Sequence, residues 1–285
     1  MKVAGDVVRW LARTLAIVLL VIVGSTVLVR FAPGYLSDAR EMDSRYGDAV
    51  RAELSVEAAR SGTLTHLLSA ELQGWMRGDG GVSREYGVPV SELIVPRLAV
   101  TGELTLRAIV MAWSLALLAS LFSSAARRPS LLWQAPAALL LAVPTAALAT
   151  LCLLAGKGGP VLVMALLLSA RDFKFLHYAL RKAWSDPHLL QARAQGVKAH
   201  RLVLGFILPS IRPQLSALAS LSIVTALSAL VPVEVIFNVP GLGQLAWNAA
   251  LNRDLPVLLS ATIIMALAVT LAGLASDHPG EWRSA

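Results

Sequence analysis

Long apolar runs, separated by polar, basic or Gly/Pro-punctuated stretches, set the plan of this chain. A membrane-spanning helix needs about 20 predominantly apolar residues. Runs of that kind cover 11–31, 100–122, 131–154, 215–233 and 255–275, and a shorter one starts at Val161, its purely apolar part stopping at Ala170. The pattern predicts six spans, the third interrupted by Pro144. Pro144, Pro213 and Pro232 are expected to kink or end helices, which membrane bundles tolerate when neighbours re-satisfy the backbone. The first run follows Lys2, Arg9 and Arg13, as a cleaved signal peptide would. Its apolar core exceeds the roughly 7–15 residues of a signal h-region and no small-x-small cleavage site clearly follows, so it reads as a retained span.

Between the first two spans the pattern changes. Acidic and basic residues alternate from Asp38 through Arg60 with alanines and leucines between them, predicting one or two soluble helices. A Gly/Pro-punctuated stretch then runs from Gly74 to Pro96. The domain plan is therefore 1–31 as cytoplasmic N-terminus and first span, 32–99 as a small extracytoplasmic insertion, and 100–285 as the transmembrane core. Lysine and arginine gather in the turns expected on one side, at Arg127-Arg128 and from Arg171 to Arg212, which puts that side and both termini in the cytoplasm. The insertion's own arginines do not oppose this, because loops above roughly 60 residues cross largely regardless of charge. Glu103 and Arg107, four apart at the start of the second span, are spaced to support a helix by about 0.2–0.5 kcal/mol.

Composition agrees with an all-α polytopic membrane protein. Hydrophobic residues make up 56% of the 285 and charged ones 15%, against roughly a quarter charged in an average globular chain. The net charge of +7 comes without a clustered basic face or interleaved aromatics, so topology explains it better than nucleic-acid binding. Cys152 is alone, which excludes a disulfide framework or redox pair within one chain. The five histidines (His66, His177, His188, His200, His278) lack ligand spacing, so no metal site is expected. Gly156-Lys157 lacks the glycine and Ser/Thr positions of a phosphate-binding loop, since Leu151 and Gly158 stand there. No nucleophile elbow or helical H-E-x-x-H occurs, so neither a cofactor nor a catalytic residue is expected on this chain.

Two segments carry the chemistry. The first is a cytoplasmic loop near 185–212 containing Ala192, Arg193, Ala194 and Gly196, then Ile207, Leu208 and Pro209. A small-residue helix, a glycine break and a second short helix between two spans form a docking surface, with small side chains at Ala192, Ala194 and Gly196 letting another protein approach the backbone. The competing reading is a basic loop that only fixes topology. The second segment runs from Glu234 through Phe237, Pro240, Gly241 and Gly243 to Leu245, followed by Arg253, Asp254 and Pro256. It is too polar and Gly/Pro-rich to face lipid, and non-helical backbone at membrane depth must be buried in protein or line a cavity. Glu234 at a membrane boundary is a candidate functional carboxylate, and equally a cap for a short helix beginning near Gly243. Gly241 and Gly243 are expected to take positive φ where the segment folds back against the bundle.

The A-R-A-x-G form at 192–196 resembles the EAA loop of bacterial ABC-importer permeases, and the second segment resembles the E-x-x-F-x-x-P-G-L-G-x-L and R-D-x-P hallmark of their dipeptide/oligopeptide/nickel class. Arg77-Gly78-Asp79, Val82-Ser83, Pro89-Val90-Ser91, Arg97, Thr101 and Glu103 resemble the approach to that class's second span, and Ala32-Pro33-Gly34 the end of its first. Tyr35 in place of an acidic residue, residues 36–70, Arg171–Trp184 and the tail to Ala285 depart from the class pattern. The resemblance implies a bacterial inner-membrane permease subunit. Its partners would be a second similar permease, two cytoplasmic ATPase subunits that carry the ATP and Mg, an extracytoplasmic solute-binding protein and membrane lipid, with no nucleic acid. Residues 192–194, 196 and 207–209 would couple to the ATPase, and Glu234, Phe237, Pro240, Gly241, Gly243, Arg253 and Asp254 would line or gate the path. Two other readings remain: a self-sufficient secondary transporter, which would show comparable halves, and an intramembrane hydrolase, which would need a paired acid or nucleophile within its spans.

Overall fold

A computed structural model describes residues 80–125, 130–252 and 254–277, together with scattered positions between 12 and 27. Those scattered positions, within the expected first span, are helical. The rest of that span, the insertion up to residue 79, Arg253 and the tail lie outside the described residues. The described residues fall into two compact units, one of those up to Val100 with those from Pro240 to Ala268, the other of those from Thr101 to Val239 with those from Val269 onward.

Helix α1 runs Val90–Ala125, so the expected second span begins ten residues earlier than hydropathy alone places it. Glu92 in the first turn favours the start by opposing the positive end of the helix dipole. The expected third span is two helices, α2 (Ser130–Ala142) and α3 (Thr145–Leu154), bent by 95°. Pro144 has no N–H for the ladder and drives Val143 away from helical angles, and Pro144 itself is extended (φ −59, ψ 141). A glycine turn with Gly156 and Gly158 at positive φ leads to α4 (Pro160–Trp184), with Pro160 in its first turn. Helix α4 continues past the charges that begin at Arg171, because one face stays apolar: Phe173, Leu176 and Leu180 are buried.

Short elements follow: α5 (Pro187–Ala194), α6 (Ala199–Leu202), a π-turn (Val203–Ile207) and α7 (Leu208–Ser210). Pro209 explains the π-turn. It has no N–H to offer Gly205 and its ring crowds that carbonyl, so the helix widens there and Leu208 N–H bonds the Val203 carbonyl instead. Pro213 sits in the first turn of α8 (Arg212–Ile236), while Pro232 is carried inside it. Helices α9 (Leu242–Leu251) and α10 (Leu255–Asp277) complete the order. Among the described residues, parts of α1, α8 and α10 are each long and apolar enough to cross a membrane, and the bent α2–α3 pair adds a fourth crossing if it is one span.

The larger unit packs α1, α3, α4 and α8 around Leu104, Ala108, Ala112, Met164, Leu168, Ala226 and Leu230. Ala108, Ala112 and Ala116 recur every four residues on α1 and are fully or nearly fully buried, so one stripe of small side chains lets neighbouring helices come close. Leu106, Val110, Leu118 and Phe122 on α1's other faces are exposed, as lipid-facing side chains are. A second cluster joins the end of α4 to the short helices through Leu180, Leu189, Ala192, Leu202 and Ile207. In the smaller unit, Val90 and Ile94 of α1 pack on Leu242, Leu245 and Ala249 of α9 and Val257 of α10. Glu103 and Arg107 form the expected ion pair at 2.5 Å, well exposed and worth only a few tenths of a kcal/mol, roughly.

Candidate coupling and gate segments

The segment between α4 and α8 has the helix, break and short helix expected of it. Helix α5 ends at Ala194, and Gly196 turns the chain at φ +77, a conformation that strains any residue with a Cβ. No atom lies within 4 Å of where a Gly196 Cβ would be, so the turn faces open space. Ala194, Gln195, Gly196 and Lys198 are exposed. Ala192 is not on this surface. It is 6% exposed and packs on α4, because it lies three residues after buried Leu189 and so shares its inward face. Ile207 likewise points inward at 1% exposure, while Leu208 and Pro209 are half-buried. The Arg193 side chain lies outside the described residues.

Glu234, near the end of α8, is fully buried and accepts a hydrogen bond from Thr101 Oγ1 of α1 at 2.7 Å. Phe237 packs half-buried against the larger unit's core. The positive φ expected of the glycines falls instead on Asn238 (φ 52), where the chain leaves α8. Gly241 precedes α9 with extended angles (φ −105, ψ −174) and Gly243 is helical and buried, so neither position requires glycine for its backbone angles. Asparagine is among the few side chains that tolerate the left-handed region, which is why it can stand at the turn. Pro240 is exposed.

Asp254 is the anchor of the smaller unit. Fully buried just before α10, it accepts from Ser83 Oγ, from Arg84 N at 3.2 Å and from Glu85 N at 3.3 Å. Ser83 Oγ in turn accepts from Tyr86 N at 3.0 Å. The turn itself is closed by Ser83 N–H on Val88 O and Val90 N–H on Gly81 O. Sequence motifs single out Ser83 and Asp254, but nothing local announces that they meet.

A buried carboxylate in α4 had no part in the sequence reading. Asp172 Oδ2 accepts from Ser222 Oγ of α8 at 3.0 Å, and Ser222 Oγ accepts from Trp113 Nε1 of α1 at 3.2 Å. Arg171, its chain neighbour, lies 3.3 Å from Asp172 Oδ1. Its signal was an acidic residue two positions past an apolar run, where an ionisable group in a span faces the bundle interior. Among the described residues no group of three or more His, Cys, Asp or Glu forms a metal cluster.

Residues 105–278 match the family described as the binding-protein-dependent transport system inner membrane component. The chain belongs to this family. As an inner membrane component it is a multi-pass membrane protein. A Brucella ovis protein provisionally named a peptide permease is 26% identical to it over 118 residues, 41% of this chain and 37% of that protein. The metal-staphylopine import system permease protein CntB of Staphylococcus aureus is 32% identical over 108 residues, 38% of this chain and 34% of its own. The oligopeptide transport system permease protein OppB of Escherichia coli is 39% identical over 75 residues, 26% of this chain and 24% of its own. These matches therefore span about a quarter to just over a third of the relatives' lengths.

Proposed function

We propose that this inner membrane component is one of two permease subunits of an ATP-driven importer of peptides or related small solutes. The observation that carries the coupling role is the exposed Ala194–Gly196 turn between short helices, seated on the end of α4 by Ala192 and Ile207. A rigid small-residue knob of this kind suits a cleft on a cytoplasmic ATPase, which would hold the ATP and Mg. Closing of an ATPase pair around ATP would push on α5, and the packed Leu189–Leu202–Ile207 cluster would pass that displacement to α4 and α8. The permease pair would then open outward to take solute from an extracytoplasmic binding protein. The chain's part is a two-state bundle whose equilibrium the docked ATPase biases, with no bond made or broken. The peptide-like cargo is supported by the names of the Brucella and E. coli relatives, and a chelate-like cargo by that of CntB.

Gly196→Asp tests this. It places a charge on the proposed contact and strains the φ +77 turn, so ATPase association should weaken by about 2–5 kcal/mol if the contact is desolvated. Membrane insertion should be retained, because the turn faces open space. Co-purification of the ATPase and solute uptake at wild-type levels in this variant would refute the coupling assignment.

A further inference from the structure

A cavity of about 610 Å³ lies between α2 and α4 in the larger unit. Lys174, Arg181 and Lys182 line it, together with Tyr178 and Ser185, and Gln134 faces them from α2. No carboxylate is among these lining residues. Lys174, Tyr178 and Arg181 follow one another at four and three residues along α4, with Ser185 just past its end, so a single helix face supplies most of the wall. His177 also lines the cavity, and it is 96% removed from solvent. Its Nδ1 is 2.7 Å from Ser123 Oγ, and its Nε2 is buried without a protein partner. A buried polar atom without a partner costs free energy, and here an occupant of the cavity can supply the partner.

We propose that this cavity binds the headgroup of an anionic phospholipid in the adjoining leaflet. Three cations and no lining carboxylate select a negative group. The cavity begins at Lys174, one helical turn past Ala170, where the apolar stretch of α4 ends, which is the depth of a headgroup. Tyr178, 73% exposed, stands at this level as interfacial aromatics do, and Leu139 exposes apolar surface on α2 for an acyl chain. The volume lies within the roughly 300–1,000 Å³ typical of pockets for small organic ligands, so it holds a phosphodiester with its glycerol more fully than a bare ion. Basic pockets between membrane helices bind lipid headgroups by the same logic, with about 1 kcal/mol from each nearby Lys or Arg. The inference does not depend on what the protein transports.

The test is retention of phosphatidylglycerol against phosphatidylcholine by the purified full-length chain, read by native mass spectrometry. Wild type should hold phosphatidylglycerol preferentially. Lys174→Gln with Arg181→Gln should reduce that retention about 25-fold, five-fold for each cation removed. Lys198→Gln with Arg201→Gln, equal in charge and outside the cavity, should leave it unchanged. His177→Phe keeps a ring beside Phe173 but removes the inward nitrogen, and should lower retention about ten-fold. Equal losses in the two charge variants would reduce the effect to diffuse electrostatics and overturn the site. Displacement of the lipid by millimolar inorganic phosphate would make it a free-anion site instead. Capture of a protein rather than lipid by a photo-crosslinker at Tyr178 in intact cells would assign the face to a subunit and also refute the proposal.

Discussion

Asp254 collects one hydroxyl and two backbone amides of the 80–89 turn while itself fully buried, so removing it strands several donors at once. Asp254→Ala should destabilise the smaller unit by about 2–4 kcal/mol, and Asp254→Asn, which keeps an acceptor, by about half that. Accelerated proteolysis of residues 80–87 in Asp254→Ala, measured against Asp254→Asn, checks the order; equal rates would contradict it. Asn238 gives a second residue-scale test. Its φ of 52 suits asparagine and glycine but not a β-branched residue, so Asn238→Val should be about 1–3 kcal/mol less stable than Asn238→Gly. The comparison is read from apparent melting temperatures in detergent, and a valine variant as stable as the glycine one would refute the turn. The Glu234–Asp254 hallmark was legible as a segment distinct from the spans on either side. Which of its residues carries the backbone turn was not, because Pro-Gly-Leu-Gly composition draws attention to the glycines while Gly243 enters a helix.

Helix packing in the larger unit is held by polar as well as apolar contacts. Trp113, Ser222 and Asp172 link α1, α8 and α4 in one hydrogen-bonded chain. Truncating a buried charged partner leaves the others uncompensated, so Asp172→Ala should cost about 3–5 kcal/mol and Asp172→Asn markedly less. Thermal unfolding of the two variants, with Trp113 fluorescence as the local probe, measures this; indistinguishable variants would mean the network contributes nothing. Helix boundaries were legible where proline or glycine punctuates, as at Pro144, Gly156–Pro160 and Gly196. The 95° turn at Pro144 was not, because hydropathy sums the two halves of 131–154 into one span whatever the angle between them. Hydropathy also stops α4 near Ala170, since it averages over faces; the inward spacing of Phe173, Leu176 and Leu180 carries the helix on to Trp184. The same blindness to faces made Ala192 look like part of the outer surface.

On the scale of the whole molecule, the distribution of lysine and arginine predicts that the coupling segment and the hallmark segment lie on opposite sides of the membrane. In a Cys152→Ser background, single cysteines at exposed Gly87 and Asn252 should react with an impermeant thiol reagent in intact cells, and one at Lys198 only after permeabilisation. External labelling at Lys198 would reverse the orientation and with it the ATPase assignment. Family membership was legible because its motifs are short, spaced and largely local. The pairing of the 80–89 turn with Asp254 was not, because no local pattern reports a contact 171 residues away.

That separation also has a meaning in time. At roughly 5–20 residues per second, a ribosome that has just made Ser83 needs about 10–35 s more to reach Asp254. Throughout that interval the turn's hydroxyl and amides have water as their only recourse, and the smaller unit exists as a first half waiting for its second. Only the emergence of Asp254 closes it, so a nascent chain that stalls short of that residue has an 80–89 turn that has never been locked.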